Sequence, residues 1–213
     1  MSPKDDLTIF GAIGLRGADR PYSPEELSEL QSLCEAIPLE RGKVGYDGED
    51  PRVEIGRIKL DPVDLALADY PGEGERRQIV NKVAAERIMH ILAKPQAMQY
   101  WTEMLSLSRA FIRRAQVNVL RVGGYISPHI DAEANPDYVA TVIIGLSDAF
   151  SGGDYIVHQD SGPRAFRLDS DNMLVNLNHI THEVTPVISG ARRTLVFFLA
   201  THEHVSAQAE VGR

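Results

Sequence analysis

From Phe111 onward the chain is cut into short runs of branched and aromatic residues: QVNVLRV, YVATVIIGL, DYIVH, AFRL, NMLVNL and TLVFFLA. Turn-like stretches containing Gly, Asn, Asp or Ser separate most of them. Several short strands at this spacing indicate a sandwich or jelly roll more than a parallel sheet. The parity of a strand then decides which residues share a face, because side chains alternate with period two.

Upstream of Phe111 the texture is mostly helical. SPEELSELQSLCEAI opens with Ser23 as N-cap, Pro24 at the first helical position and Glu26 completing a capping box. ERRQIVNKVAAERIMHIL repeats apolar residues at helical spacing, among them Ile79, Val80, Val83, Ile88 and Ile91. Pro95 interrupts that pattern, PQAMQYWTEMLSL resumes it, and VEIGRIKL (Val53 to Leu60) alternates as a strand. The expected fold class is α+β with a mainly β core. One domain spans 1–213: a helical support region over 1–110 packed on one sheet, a β-roll over 111–200 and a tail over 201–213.

Bulk properties exclude several classes. A length of 213 residues, 43% of them hydrophobic and 24% charged, suits a water-soluble chain with a sizeable core. Asp and Glu outnumber Lys and Arg by 30 to 22, which argues against nucleic acid as a partner. Cys34 is the single cysteine, so no intrachain disulfide forms, and its helical context suits a buried small hydrophobe. The start, MSPKDDLTIF, lacks the basic and apolar regions of a signal peptide, and no apolar run is long enough to span a bilayer. A cytoplasmic setting without a membrane partner is the expectation.

The chemistry concentrates around PHIDAEANPDY. His129 and Asp131 stand two apart after a strand-like run, where both can face the interior of a roll. Alone, the pair is weak evidence, since His-x-Asp arises easily by chance. Fifty-one positions beyond Asp131, His182 opens HEVTPVISGARRTLVFFL. Two imidazoles and one carboxylate on one face of an octahedral iron(II) leave three positions open, the common arrangement for oxygen-activating non-haem iron. His179, three before His182, competes for the third place. HEVT lacks the second histidine of a zinc-protease helix. His90, His158, His202 and His204 are read as non-ligands.

The stretches GGYISPHID, FSGGDYIVH and HEVTPVISGARRT resemble, in order, segments of the iron(II)/2-oxoglutarate-dependent dioxygenases, particularly the branch similar to prolyl 4-hydroxylases. The likeness covers roughly Gln116 to Ala200. It implies a double-stranded β-helix with His129, Asp131 and His182 as iron ligands and as the catalytic centre. It implies Arg192, ten positions after His182, as partner of the distal carboxylate of 2-oxoglutarate, with Thr194 beside it. The spacing also favours His182 over His179. Parity agrees, since Arg192 and Thr194 share a face and Arg193 points away. A dicarboxylate in a narrow barrel needs a forked, permanently charged partner. Fe(II) is the implied cofactor, with 2-oxoglutarate and O2 as co-substrates, succinate and CO2 released, and a C–H bond hydroxylated. Halogenating relatives have Gly or Ala in place of the carboxylate ligand, so Asp131 implies hydroxylation.

The chain also departs from that pattern. Relatives carry a tyrosine about nine residues before the first histidine, where Leu120 and Arg121 stand here. Tyr125 is the candidate substitute for holding the co-substrate, against a core or surface role. Arg121 and Asn135 are candidate substrate contacts, and Asp137 and Tyr138 candidate rim residues, against a plain Asn-Pro turn. Gly123, Gly124, Gly152 and Gly153 suit sharp turns between strands. The expected substrate is a small molecule such as an amino acid or specialised metabolite. The alternative is a prolyl-type protein target, and a non-catalytic ligand- or metal-sensing roll is a third reading.

Overall fold

Capping chemistry and apolar stripes set the N-terminal elements of the computed structural model, which describes residues 3–41, 53–61, 78–170 and 172–203. Helix α1 (Pro3–Phe10) and strand β1 (Ala12–Leu15) come first. Helix α2 (Pro24–Glu35) starts at the reciprocal Ser23–Glu26 capping box. Strands β2 (Glu40–Arg41) and β3 (Val53–Lys59) precede helices α3 (Lys82–Leu92) and α4 (Pro95–Met104). Asn81 caps α3 by accepting from the Ala84 N–H, and Pro95 opens α4. The helix therefore starts later than the apolar pattern suggests, and Val80 and Val83 are exposed. The residues before 78 in that stretch, and the tail from His204 on, lie outside the described residues.

The β-roll follows as β4 (Phe111–Leu120), β5 (Ile126–His129), a short helix α5 (Asp131–Ala134), β6 (Tyr138–Gly145), β7 (Phe150–Gly152), β8 (Tyr155–Val157), β9 (Arg164–Phe166), β10 (Met173–Leu177), β11 (His182–Val184), β12 (Val187–Gly190) and β13 (Arg192–Ala200). The large sheet has the order β1-β10-β6-β13-β4-β3-β2, and a smaller sheet the order β5-β11-β8-β9. β12 and β7 form a third, two-stranded ladder. All pairings described are antiparallel, as the short, turn-punctuated runs foretold. α1 and β1 are additions to the sequence reading. AIGL is too short to register as a strand alone, and it forms by pairing with the exposed edge of β10.

Alternation divides the large sheet into two faces. Ala115, Val117 and Val119 of β4, Val142 and Ile144 of β6, and Leu195, Phe197 and Leu199 of β13 pack with Leu27, Leu30, Ile88 and Trp101 of the helices. Gln116, Asn118, Thr141, Ile143, Thr194, Val196 and Phe198 point the other way, towards the small sheet. The helices thus seal one face of the large sheet, leaving the other to line a cavity. Gly190 sits at the β12–β13 corner with φ of +72°, where a Cβ would fall 2.0 Å from the Ala149 carbonyl oxygen.

Phe197 is fully buried and meets Trp101 edge-on at 6.0 Å, directly between helices and sheet. Phe197→Ala is expected to cost about 3–5 kcal/mol, read as a lowered midpoint in urea unfolding with little change in slope.

Candidate active site

Two short strands bring the site together. His129 ends β5, His182 begins β11, and the two are direct cross-strand partners. Their rings lie 4.2 Å apart. Pairing stops at His129, but Ile130 keeps an extended backbone (φ −122°, ψ 123°) before α5 begins. Asp131 therefore stays on the side of His129, although it opens a helical turn rather than continuing the strand.

Asp131 Oδ1 lies 3.4 Å from His129 Nε2 and 3.7 Å from His182 Nε2. One ligand atom from each of the three residues falls within 4.8 Å of the others. Backbone carbonyls favour one tautomer of each ring. His129 Nδ1 faces the Ser127 carbonyl and His182 Nδ1 the Ile180 carbonyl, both at 2.9 Å. With the proton on each Nδ1, both Nε2 lone pairs converge on the carboxylate, which is how metal-binding imidazoles are held. The donor set, two neutral imidazoles and one carboxylate, therefore fits a divalent iron ion. Asp131 Oδ2 accepts from the Thr141 hydroxyl at 2.5 Å, so one oxygen is tied back and the other is presented. Burial opposes the charge of Asp131, yet His129, His182 and Thr141 together hold its carboxyl below the ordinary value. Burial likewise disfavours the His129 cation, but Asp131 outweighs it and raises that imidazole. His182 is lowered, chiefly by burial. His179 is exposed and stands apart from the triad.

The same cavity holds Arg192. It is 2% exposed, and its Nε and Nη2 have no hydrogen-bond partner among the described residues. Its remaining contact is a 3.5 Å hydrogen bond from Nη1 to the Thr194 hydroxyl. Burial lowers its pKa to about 10, which still leaves it a cation. A buried guanidinium with idle donors is a site for an anion. Gly153 makes room for it: φ is +67°, and a Cβ there would meet Arg192 Cδ at 3.0 Å. Arg193 emerges on the opposite, half-exposed side of the strand.

Three sequence candidates are placed elsewhere. Tyr125 is 39% exposed and does not line the cavity, because it belongs to the turn ahead of β5. Arg121 is a surface residue whose guanidinium pairs with Glu54 at 2.7 Å. Asn135 is buried and structural. Its amide donates to Asp61 at 3.5 Å and its oxygen accepts from the Asp137 N–H at 3.0 Å. Asp61 also accepts from Arg113 and Tyr138, and Arg113 reaches Asp137 as well. That cluster ties the segment after Asp131 to the large sheet, with Asn135, Asp137 and Tyr138 as its anchors.

The cavity contains residues that sequence reasoning passed over. Tyr155 is buried, stacks on the His182 ring (5.1 Å, planes 13° apart) and has a hydroxyl without a hydrogen-bond partner among the described residues. Alternation in DYIVH was its available signal, since Tyr155 and Val157 share a face. Gln116 and Asn118 line the wall and are joined by a 2.7 Å hydrogen bond. Polar residues two apart in the otherwise apolar NVL-type run marked a polar stripe.

Divalent-metal calorimetry with Mn(II) checks the triad. His182→Ala is expected to abolish tight binding, while His179→Ala retains it. The opposite result moves the third ligand to His179.

No protein-family model matches the chain. A PKHD-type hydroxylase of Bordetella pertussis is 35% identical over 188 residues, covering 84% of this chain and 74% of the relative. Among solved structures, an oxidoreductase of the 2OG-Fe(II) oxygenase family from Burkholderia pseudomallei superposes with a TM-score of 0.79 at 28% identity, over 95% of this chain and 91% of that one. A Pseudomonas putida prolyl-4-hydroxylase shares the fold, with a TM-score of 0.61 at 16% identity over 94% and 97% of the two chains. The resemblance carried by the His-x-Asp and distal His-Arg segments thus extends through the helical half as well, and the chain belongs to the PKHD-type hydroxylases, oxidoreductases of the Fe(II)- and 2-oxoglutarate-dependent oxygenase superfamily.

Proposed function

We propose that the chain hydroxylates an unactivated C–H bond of a small molecule, such as an amino acid or specialised metabolite, with His129, Asp131 and His182 holding the iron. The observation that carries this reading is one cavity containing both the triad and a buried guanidinium with two nitrogens idle among the described residues. When bound, iron(II) with 2-oxoglutarate and O2 supplies the oxidising power, releasing succinate and CO2 as one oxygen atom enters the C–H bond.

The chain's own residues prepare that chemistry. Arg192 pairs with the distal carboxylate of 2-oxoglutarate, and Thr194 sits beside it at the same end of the cavity. Thr141 keeps the Asp131 carboxylate turned so that one oxygen is presented to the metal. Ile126, Ile143, Val184, Val196 and Phe198 form apolar walls that exclude water and strengthen every charged contact inside. The protein positions and shields, and the iron centre performs the oxidation.

A prolyl-type protein target is the second reading. It is the substrate class in the name of the Pseudomonas putida prolyl-4-hydroxylase, whose fold this chain shares. A succinate-release screen with iron(II) over free amino acids, metabolites and proline-containing peptides separates the two. Turnover of free metabolites supports the first reading, and turnover of peptides alone replaces it with the second. Absence of 2-oxoglutarate binding by calorimetry removes both.

Arg192 and Arg193 provide the sharper check. Arg192→Ala is expected to weaken 2-oxoglutarate binding by about thirty-fold to several-thousand-fold, corresponding to about 2–5 kcal/mol for a truncated buried charge pair. Arg192→Lys should fall between, keeping the charge without the fork. Arg193→Ala should change the Michaelis constant by only about a few-fold. A crippled Arg193→Ala enzyme with normal Arg192→Ala would contradict this assignment.

A further inference from the structure

Tyr155 is buried beside a cation and has nothing to donate to. Thr141 and Thr194, the other hydroxyls lining the cavity, each have a partner, while the Tyr155 hydroxyl has none among the described residues. Burying a phenol away from water without an acceptor is unfavourable, and native proteins keep such groups where something else completes them. Arg192 Nε and Nη2 are orphaned in the same cavity, and the two side chains are near enough to interact electrostatically. Both groups are donors, the sum of their charges is positive, and the Tyr155 hydroxyl and Arg192 Nε and Nη2 have no acceptor among the described residues. Their complement is an anion with at least two acceptor oxygens.

The placement of the ring adds direction. Tyr155 pairs with Val184 across β8 and β11, two residues from His182, and its ring lies almost parallel to that imidazole. The ring thus lines the same cavity as the triad and Arg192. We propose that Tyr155 is a second binding residue for 2-oxoglutarate, its hydroxyl donating to one oxygen of the distal carboxylate while Arg192 pairs with the other. This rests on the reading of the Arg192 cavity as the co-substrate site. The competing account is that Tyr155 merely packs against His182.

Tyr155→Phe separates the two accounts, because it keeps the ring and its stack and removes only the hydroxyl. The test uses the full chain loaded with Mn(II), and measures 2-oxoglutarate affinity by calorimetry, Mn(II) affinity without 2-oxoglutarate, and the melting temperature of the free protein. A hydrogen bond to a charged group predicts that 2-oxoglutarate binds about ten-fold to a hundred-fold more weakly. Mn(II) affinity should stay at the wild-type value. The free protein should melt at the same temperature or higher, since an idle buried hydroxyl is removed. Unchanged 2-oxoglutarate affinity overturns the proposal, as does a fall in Mn(II) affinity or in melting temperature, each of which marks a structural hydroxyl. Wild-type protein that binds no 2-oxoglutarate sinks the co-substrate reading itself, whereas wild-type binding with an unaffected Tyr155→Phe variant sinks only the role of Tyr155.

Discussion

The structure depends on the fact that a strand has two faces and that the helices claim one of them. Leu195, Phe197 and Leu199 must meet Trp101, Ile88 and Leu30, because each would otherwise leave apolar surface in water. That commitment forces Arg192, Thr194, Val196 and Phe198 to the other side. The same division applies to β4 and β6. The residues that give the cavity its chemistry are therefore aimed by packing energy released on the far side of the sheet, and a slip of one residue would invert the arrangement.

Within the cavity, charge is deliberately left unbalanced at one end and tightly controlled at the other. Asp131 sits between two imidazoles whose outer nitrogens are tied to backbone carbonyls, and its second oxygen is held by Thr141. Arg192 keeps only the hydrogen bond to Thr194, with Nε and Nη2 idle among the described residues. A fold accepts an uncompensated buried cation only at a cost in stability, and natural proteins commonly place such costs at functional sites. The polar cluster of Arg113, Asp61, Asn135, Asp137 and Tyr138 differs in kind, because its guanidinium is paired with two carboxylates. It is scaffolding, and it holds the segment that follows Asp131.

Much of this was legible in the sequence because the informative signals are local. The Ser23 capping box, the Pro95 break and the parity of Arg192 against Arg193 are read over a few residues and reappear in the structure. The triad was legible through fixed spacings, which a resemblance then organised. What escaped depends on contacts distant in sequence. β1 is a strand only because β10 offers an edge, and Val80 and Val83 obey helical periodicity although the helix begins beyond or just before them. Asn135 looked like a turn residue because its partner, Asp61, lies 74 positions away. Tyr155 went unnoticed because what marks it is a hydroxyl without a partner among the described residues, which no sequence pattern displays.

His129 and His182 face each other across strands only four and three residues long. Ladders that short fix their alignment through very few hydrogen bonds, and this one already shifts between His182 and Val184. Any ion grasped by both imidazoles is consequently a cross-link between the strands, one that exists in a single alignment. By mass action it favours the correctly paired sheet over every frayed or displaced one. A metal held there would thus also clamp the register of β5 against β11.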